Sequence, residues 1–269
     1  MILVFKLSIL LTLFTTGIFL LFGCVYSFIE KRNTRYVLSA LGSKGILFTG
    51  VVGTTIHEIS HLIMCLIFNH KVIDFQLFNF KGYKYDEVLG YVSHKYNNKN
   101  LYEKSGNFFI GIAPIIFGTL FIIFSFRFLL PSLYSLIDIQ NYTAYLKDIN
   151  VSNIILLLLE LCKSLFLVLF KIENLSNINF YIFIYLMFCV TTHISLSKKD
   201  FQNSSAGVFS LFIIYFIICF LYLLFNQNLD ILLMSLINYG IYLIVFLSVG
   251  LFFSLISLLI SYFIYKLKK

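Results

Sequence analysis

The chain has 269 residues, of which 60% are hydrophobic and 12% charged, and its mean hydropathy is +0.93; a water-soluble domain of this make-up would expose large apolar patches. The net charge of +8 sits in clusters between apolar runs, such as Lys31-Arg32, Lys198-Lys199 and Lys266 to Lys269. Basic residues there orient helices and meet anionic headgroups, and no extramembrane basic domain is present to bind nucleic acid. The apolar runs approach or exceed the roughly 20 residues a helix needs to span a bilayer and lack the alternation of a membrane barrel. The expectation is therefore an all-α polytopic membrane protein. A single integral membrane domain over residues 1–269 would cross the lipid bilayer about six to seven times.

In chain order, the first apolar segment runs from Ile2 to Ile29 and ends at the polar run Glu30 to Arg35. It exceeds the apolar part of a signal peptide, about 7 to 15 residues, and reads as a retained helix. The second, Gly45 to Phe68, carries Gly45, Gly50 and Gly53, small enough to let a neighbouring helix approach closely. Residues 69–107 form the one long polar stretch, alternating apolar and polar side chains, with Lys81-Gly82 and Leu89-Gly90 as turn candidates. That pattern predicts short strands or a hairpin at the membrane surface. The third segment, Phe108 to Pro131, contains Pro114, which should kink or break its helix. The fourth, Val151 to Phe170, places Glu160 and Lys163 three apart, where they can pair. The fifth, Ile178 to Ile194, ends near His193, and a polar break follows over Ser195 to Ser205. The sixth, Ala206 to Phe225, and the seventh, Ile231 to Tyr265, complete the chain, the last with room to bend at Gly240 or Gly250.

The second segment contains His57-Glu58-Ile59-Ser60-His61. Ionisable side chains at membrane depth are costly and mark functional sites by default. On a helix, histidines at i and i+4 share a face and can bind one zinc ion, while the glutamate between them can act as general base toward water. The competing reading pairs the histidines with neighbouring helices and leaves Glu58 protonated by burial. Cys24, Cys65, Cys162, Cys189 and Cys219 are odd in number, lie in apolar runs and form no Cys-x-x-Cys arrangement. They read as small buried hydrophobes, Cys65 included, although it shares the histidine face four residues after His61.

A catalytic zinc needs three protein ligands and an open position, so one more must come from elsewhere. The candidates are His70 and His94 in the polar stretch, Glu160 and Glu173 around the fourth segment, and His193 and Asp200 between the fifth and sixth. Asp200 is favoured, because it stands at a helix start where its carboxylate can enter the bundle. Against it, Ser197-Lys198-Lys199-Asp200 fits a capping box, in which the aspartate only satisfies backbone amides. His193 is the runner-up and can otherwise orient a ligand.

With these residues in place, the chain resembles the site-2 protease family of intramembrane zinc metallopeptidases. The likeness rests on His57-Glu58-Ile59-Ser60-His61 in an early apolar helix and on the polar surface stretch after it. Gly111-Ile112-Ala113-Pro114 in the next helix and the distant Asp200 add to it. Around Asp200 the sequence departs from the family's Asn-Pro-x-Pro-x-Asp-Gly pattern, having neither proline nor a following glycine, so Asp200 is carried over by position. The resemblance implies a multi-pass protein of a bacterial cell membrane that holds Zn2+ on His57, His61 and Asp200. Glu58 would serve as base to hydrolyse membrane-embedded or membrane-proximal protein substrates. Two other readings are a membrane zinc protease of the prenyl-protein-processing type, with Glu160 or Glu173 as third ligand, and a noncatalytic zinc-binding or transport protein.

Overall fold

The computed structural model describes residues 2–80, 88–135, 151–225 and 229–268, and of residues 151, 154 and 229–239 only the backbone. In chain order these form α1 (Ile2–Ile67), β1 (Lys71–Gln76), β2 (Tyr91–Lys95), α2 (Leu101–Leu129) and the short α3 (Pro131–Tyr134). Then come α4 (Val151–Leu169), a 3-10 turn (Ile172–Ser176), α5 (Ile178–Thr191), α6 (Lys198–Leu224) and α7 (Leu229–Lys268). Among the described residues the fold is all-α apart from one two-stranded sheet.

The first helix departs from expectation. The polar run Glu30 to Arg35 does not end it; regular helix continues to Gly42, whose φ of 65° and ψ of −164° suit glycine alone. Two of its polar side chains, Glu30 and Asn33, find partners inside the bundle, while Lys31, Arg32 and Arg35 are exposed. A Glu30 carboxylate oxygen accepts the Ser195 N–H at 2.7 Å, and Asn33 donates to the Ser257 hydroxyl at 2.7 Å. Beyond Gly42 the second arm of α1 folds back beside the first, with Gly45 against Val37 and Leu41. Glu30 on one arm and His57 on the other thereby reach the same turn, His193 to Ser195.

The helix α2 stays unbroken through Pro114, starts on an Asn100 side-chain cap and stops two residues before Pro131. It forms the middle of the bundle: Ile112, Ala113, Ile115 and Ile122 are wholly buried against α1, α5, α6 and α7. Phe126, Phe183 and Phe253 meet at its far end, two of the three contacts edge-to-face. The helix α6 begins eight residues before the expected Ala206, because Ser197 and Asp200 do form a capping box there.

Four of the described helices are long and apolar enough to cross a membrane: α1, α2, α6 and the Gly240–Lys268 part of α7. With 14 residues, α5 is shorter than a span. Large apolar side chains such as Leu13, Leu21, Phe128, Phe209 and Leu259 point outward, more than 60% exposed, as suits a surface solvated by lipid.

The predicted hairpin is the antiparallel pair β1 and β2, with Val72 opposite His94, Phe75 opposite Val92 and Gln76 opposite Tyr91. The register slips between Val72 and Asp74, and the Tyr91 hydroxyl donates to Asp74 across the pair at 2.7 Å. Of the two turn candidates, Lys81-Gly82 lies outside the described residues.

Candidate metal centre

The second arm of α1 presents His57, Glu58 and His61 to a cavity, the two rings 4.9 Å apart on one face as their spacing requires. Close approach of α5 sets the arm in place. A side chain at Gly53 would collide with the Cys189 carbonyl and stand 2.6 Å from the His193 ring, so the absence of a Cβ lets the two helices meet.

Each imidazole is oriented by a backbone carbonyl. Nδ1 of His57 lies 2.8 Å from the His193 carbonyl oxygen, and Nδ1 of His61 lies 2.8 Å from that of Ile110. A carbonyl only accepts, so both rings carry their proton on Nδ1 and aim the Nε2 lone pair away from it. The Ile110 acceptor has an identifiable origin. In a helix its partner would be the N–H of residue 114, which is proline and has none. Pro114 thus frees the carbonyl that His61 uses.

Both Nε2 atoms face Asp200. His61 Nε2 stands 3.3 Å from one carboxylate oxygen and His57 Nε2 3.8 Å from the other. The second oxygen also accepts the Ser197 N–H at 2.7 Å, and the Ser197 hydroxyl accepts the Asp200 N–H at 3.2 Å. The two readings of Asp200 are therefore compatible, since the cap holds the aspartate where it meets the histidines. Gly111 packs on the Asp200 backbone and Ser204 and lets α2 and α6 close on each other.

Two imidazole nitrogens and a carboxylate oxygen are a donor set that suits zinc. Ligand atoms 2.0–2.1 Å from a tetrahedral ion lie about 3.3 Å apart, close to the separations here, and all three donors fall within 4.8 Å of one another. His57, His61 and Asp200 would hold the ion. Glu58 lines the same cavity, a space of about 430 Å³ bounded on one side by Val88, Gly90, Tyr91, Val92 and His94 of the hairpin region. A Cβ at Gly90 would stand 2.8 Å from the Glu58 side chain, so glycine keeps the room in front of that carboxylate open. Burial and then the neighbouring His70 hold the His94 imidazole below its ordinary range, with Asp200 pulling the other way.

The remaining candidates contribute no side chain to the His57, His61 and Asp200 group. His193, the runner-up, turns its ring to the hydroxyls of Thr49 at 3.1 Å and Thr54 at 3.3 Å, and only its carbonyl serves His57. Glu160 pairs with Lys163 at 3.5 Å on an exposed face of α4, and Glu173 lies exposed on the 3-10 turn. His70 and His94 face each other at 2.9 Å. Sequence reading missed the two orienting carbonyls. For Ile110 a signal exists, a proline four residues on; for His193 there is none, since any residue supplies a carbonyl.

No protein-family model matches the chain, and neither does any curated protein or solved structure.

Proposed function

We propose that the chain is a zinc-dependent intramembrane metalloprotease of the site-2 protease type, acting on membrane-embedded or membrane-proximal protein substrates. The observation that carries this reading is the convergence of His57, His61 and Asp200 with the Glu58 carboxylate lining the same cavity. In the proposed topology the two arms of α1, together with α2, α4, α6 and α7, cross a bacterial cell membrane, and the shorter α5 packs among them.

Zinc in that site supplies a Lewis acid for the peptide carbonyl and lowers the pKa of water. The chain itself does the rest. Glu58 takes a proton from the attacking water and passes it to the leaving amine. The His193 and Ile110 carbonyls hold both rings in the tautomer that leaves Nε2 free. A helical peptide bond is hydrogen-bonded and hindered, so substrate has to unwind; pairing with the hairpin at Phe75 to Phe80 or Gly90 to His94 holds it extended across the cavity.

The test uses protein reconstituted in liposomes with a membrane-spanning reporter substrate. Wild type is expected to cleave it, and Glu58→Gln to retain zinc while losing cleavage by a factor of roughly 100 or more. Cleavage that persists in Glu58→Gln removes the mechanism, and zinc binding without cleavage in the wild type favours a noncatalytic metal protein.

A further inference from the structure

A second group of metal-ligating side chains lies beside the first and shares no residue with it: Cys65, His70 and His94, with one donor atom from each within 4.8 Å of the others. They come from three places. Cys65 is in the last turn of α1, His70 stands just beyond that helix, and His94 is on β2.

The end of α1 explains how the first two meet. The Asn69 N–H donates to the Leu66 carbonyl at 3.2 Å and the His70 N–H to the Cys65 carbonyl at 2.8 Å, with Asn69 left-handed at φ 57°. This is a Schellman termination with asparagine in the position that needs positive φ, and it folds His70 back over the thiol. Gly106 lets the turn settle on α2, since a side chain there would strike Phe68 and stand 3.0 Å from His70 Nε2. That nitrogen lies 2.7 Å from the Glu103 carbonyl oxygen and so carries the proton. The His70 lone pair is therefore on Nδ1, which points at His94 Nδ1, 2.9 Å away. A histidine with one nitrogen donating to a carbonyl and the other aimed at a second donor is prepared as a metal ligand. Cys65 is fully buried, and His70 nearly so.

We propose that Cys65, His70 and His94 form a second metal site, binding zinc through one thiolate and two imidazoles. The nitrogens, 2.9 Å apart, need only open to about 3.3 Å, and the sulfur needs about 3.5 Å from each, to surround an ion at ordinary zinc distances. Binding displaces the thiol proton of Cys65 to solvent and moves the His94 proton from Nδ1 to Nε2, so one proton leaves per ion. A sulfur- and nitrogen-bearing set selects zinc over magnesium or calcium. His94 also lines the main cavity, so the two sites adjoin. The site ties the hairpin, which walls that cavity, to the ends of α1 and α2.

The thiolate makes this site distinguishable from the one on His57, His61 and Asp200. The full chain, purified in detergent and stripped of metal, is titrated with Co2+. Wild type is expected to develop a thiolate-to-cobalt charge-transfer absorption that saturates by about two equivalents, the other ion going to the thiolate-free first site. That band should vanish in Cys65→Ser, weaken at least tenfold in apparent Co2+ affinity in His94→Asn, and survive in Asp200→Asn. His94 is only partly buried, so His94→Asn keeps the test open if Cys65→Ser fails to fold. Zinc content should fall by one ion per chain in Cys65→Ser. If the first site holds no metal, the wild type takes up one ion in place of two and the band remains. Absence of the band in folded wild type, or its persistence in Cys65→Ser, overturns the proposal and leaves a hydrogen-bonded histidine pair beside a packed thiol.

Discussion

Replacing Pro114 by alanine isolates the contribution of a single backbone acceptor. Alanine restores the N–H that proline lacks, and within α2 that N–H points at the Ile110 carbonyl, now accepting from His61 Nδ1 at 2.8 Å. A new helical hydrogen bond is worth about 0.5–1.5 kcal/mol, so the metal-free variant should melt no lower than wild type. The His61 ring loses sole claim to its carbonyl. Disturbing the hydrogen-bond partner of a metal-bound histidine costs about 10- to 100-fold in affinity. A carbonyl has two lone pairs and can serve two donors, which puts the expected loss near tenfold, about 1.4 kcal/mol. Zinc affinity is read by chelator competition in detergent and unfolding by circular dichroism. Pro131→Ala serves as control, since Pro131 opens α3 and donates nothing to the cluster. A Pro114→Ala protein with full helicity and wild-type zinc affinity would refute the freed-carbonyl account.

Asp200→Asn should keep the start of α6, because an amide oxygen can still accept the Ser197 N–H, and yet lose the metal. Asp200→Ala should lose both, with about 0.5–2 kcal/mol of stability gone with the cap; a stable Asp200→Asn protein that still binds zinc tightly would show the carboxylate to be only a cap. His193→Ala should destabilise by about 1–3 kcal/mol through the lost contacts to Thr49 and Thr54 while retaining zinc, and metal loss equal to that of Asp200→Ala would make its ring a ligand. Glu160→Ala should change stability by less than about 0.5 kcal/mol, its pair with Lys163 being exposed, and leave zinc content alone; an emptied site would restore the prenyl-processing reading. In Gly53→Ala the new methyl meets the Cys189 carbonyl and the His193 ring, so α5 must move away by roughly an ångström. That strains the His57 to His193 hydrogen bond, so both thermal stability and zinc affinity should fall, and an unchanged melting curve would contradict the close contact between α1 and α5.

Much of the site was legible because helical periodicity alone puts His57 and His61 on one face, and lipid makes the presence of Glu58 between them hard to explain otherwise. Asp200 was legible as a residue but ambiguous in role, since a capping box and a ligand leave the same local signature; what the sequence hides is the approach of His61 to within 3.3 Å of the capping carboxylate. The extent of α1 was not legible. Glu30 and Asn33 look like a loop in the sequence, and what makes them helical is a pair of partners, Ser195 and Ser257, more than 150 residues away. Gly42, the actual reversal, is one glycine among 14 and carries no local mark. Cys65 reads as a packed thiol for a similar reason, because the turn that brings His70 onto it depends on Asn69, whose left-handed conformation is a preference and not a requirement.

The cluster draws on α1, on a carbonyl of α2, on another after α5, and on the first turn of α6. A nascent chain that has inserted only its first helix carries both imidazoles and the glutamate but neither the carboxylate nor the two acceptors that aim the rings. Competence therefore waits for the ribosome to pass residue 200 and for four separate pieces to dock. Under the proposed hydrolase function, the order of translation alone would shield the cell from a half-built, indiscriminate site.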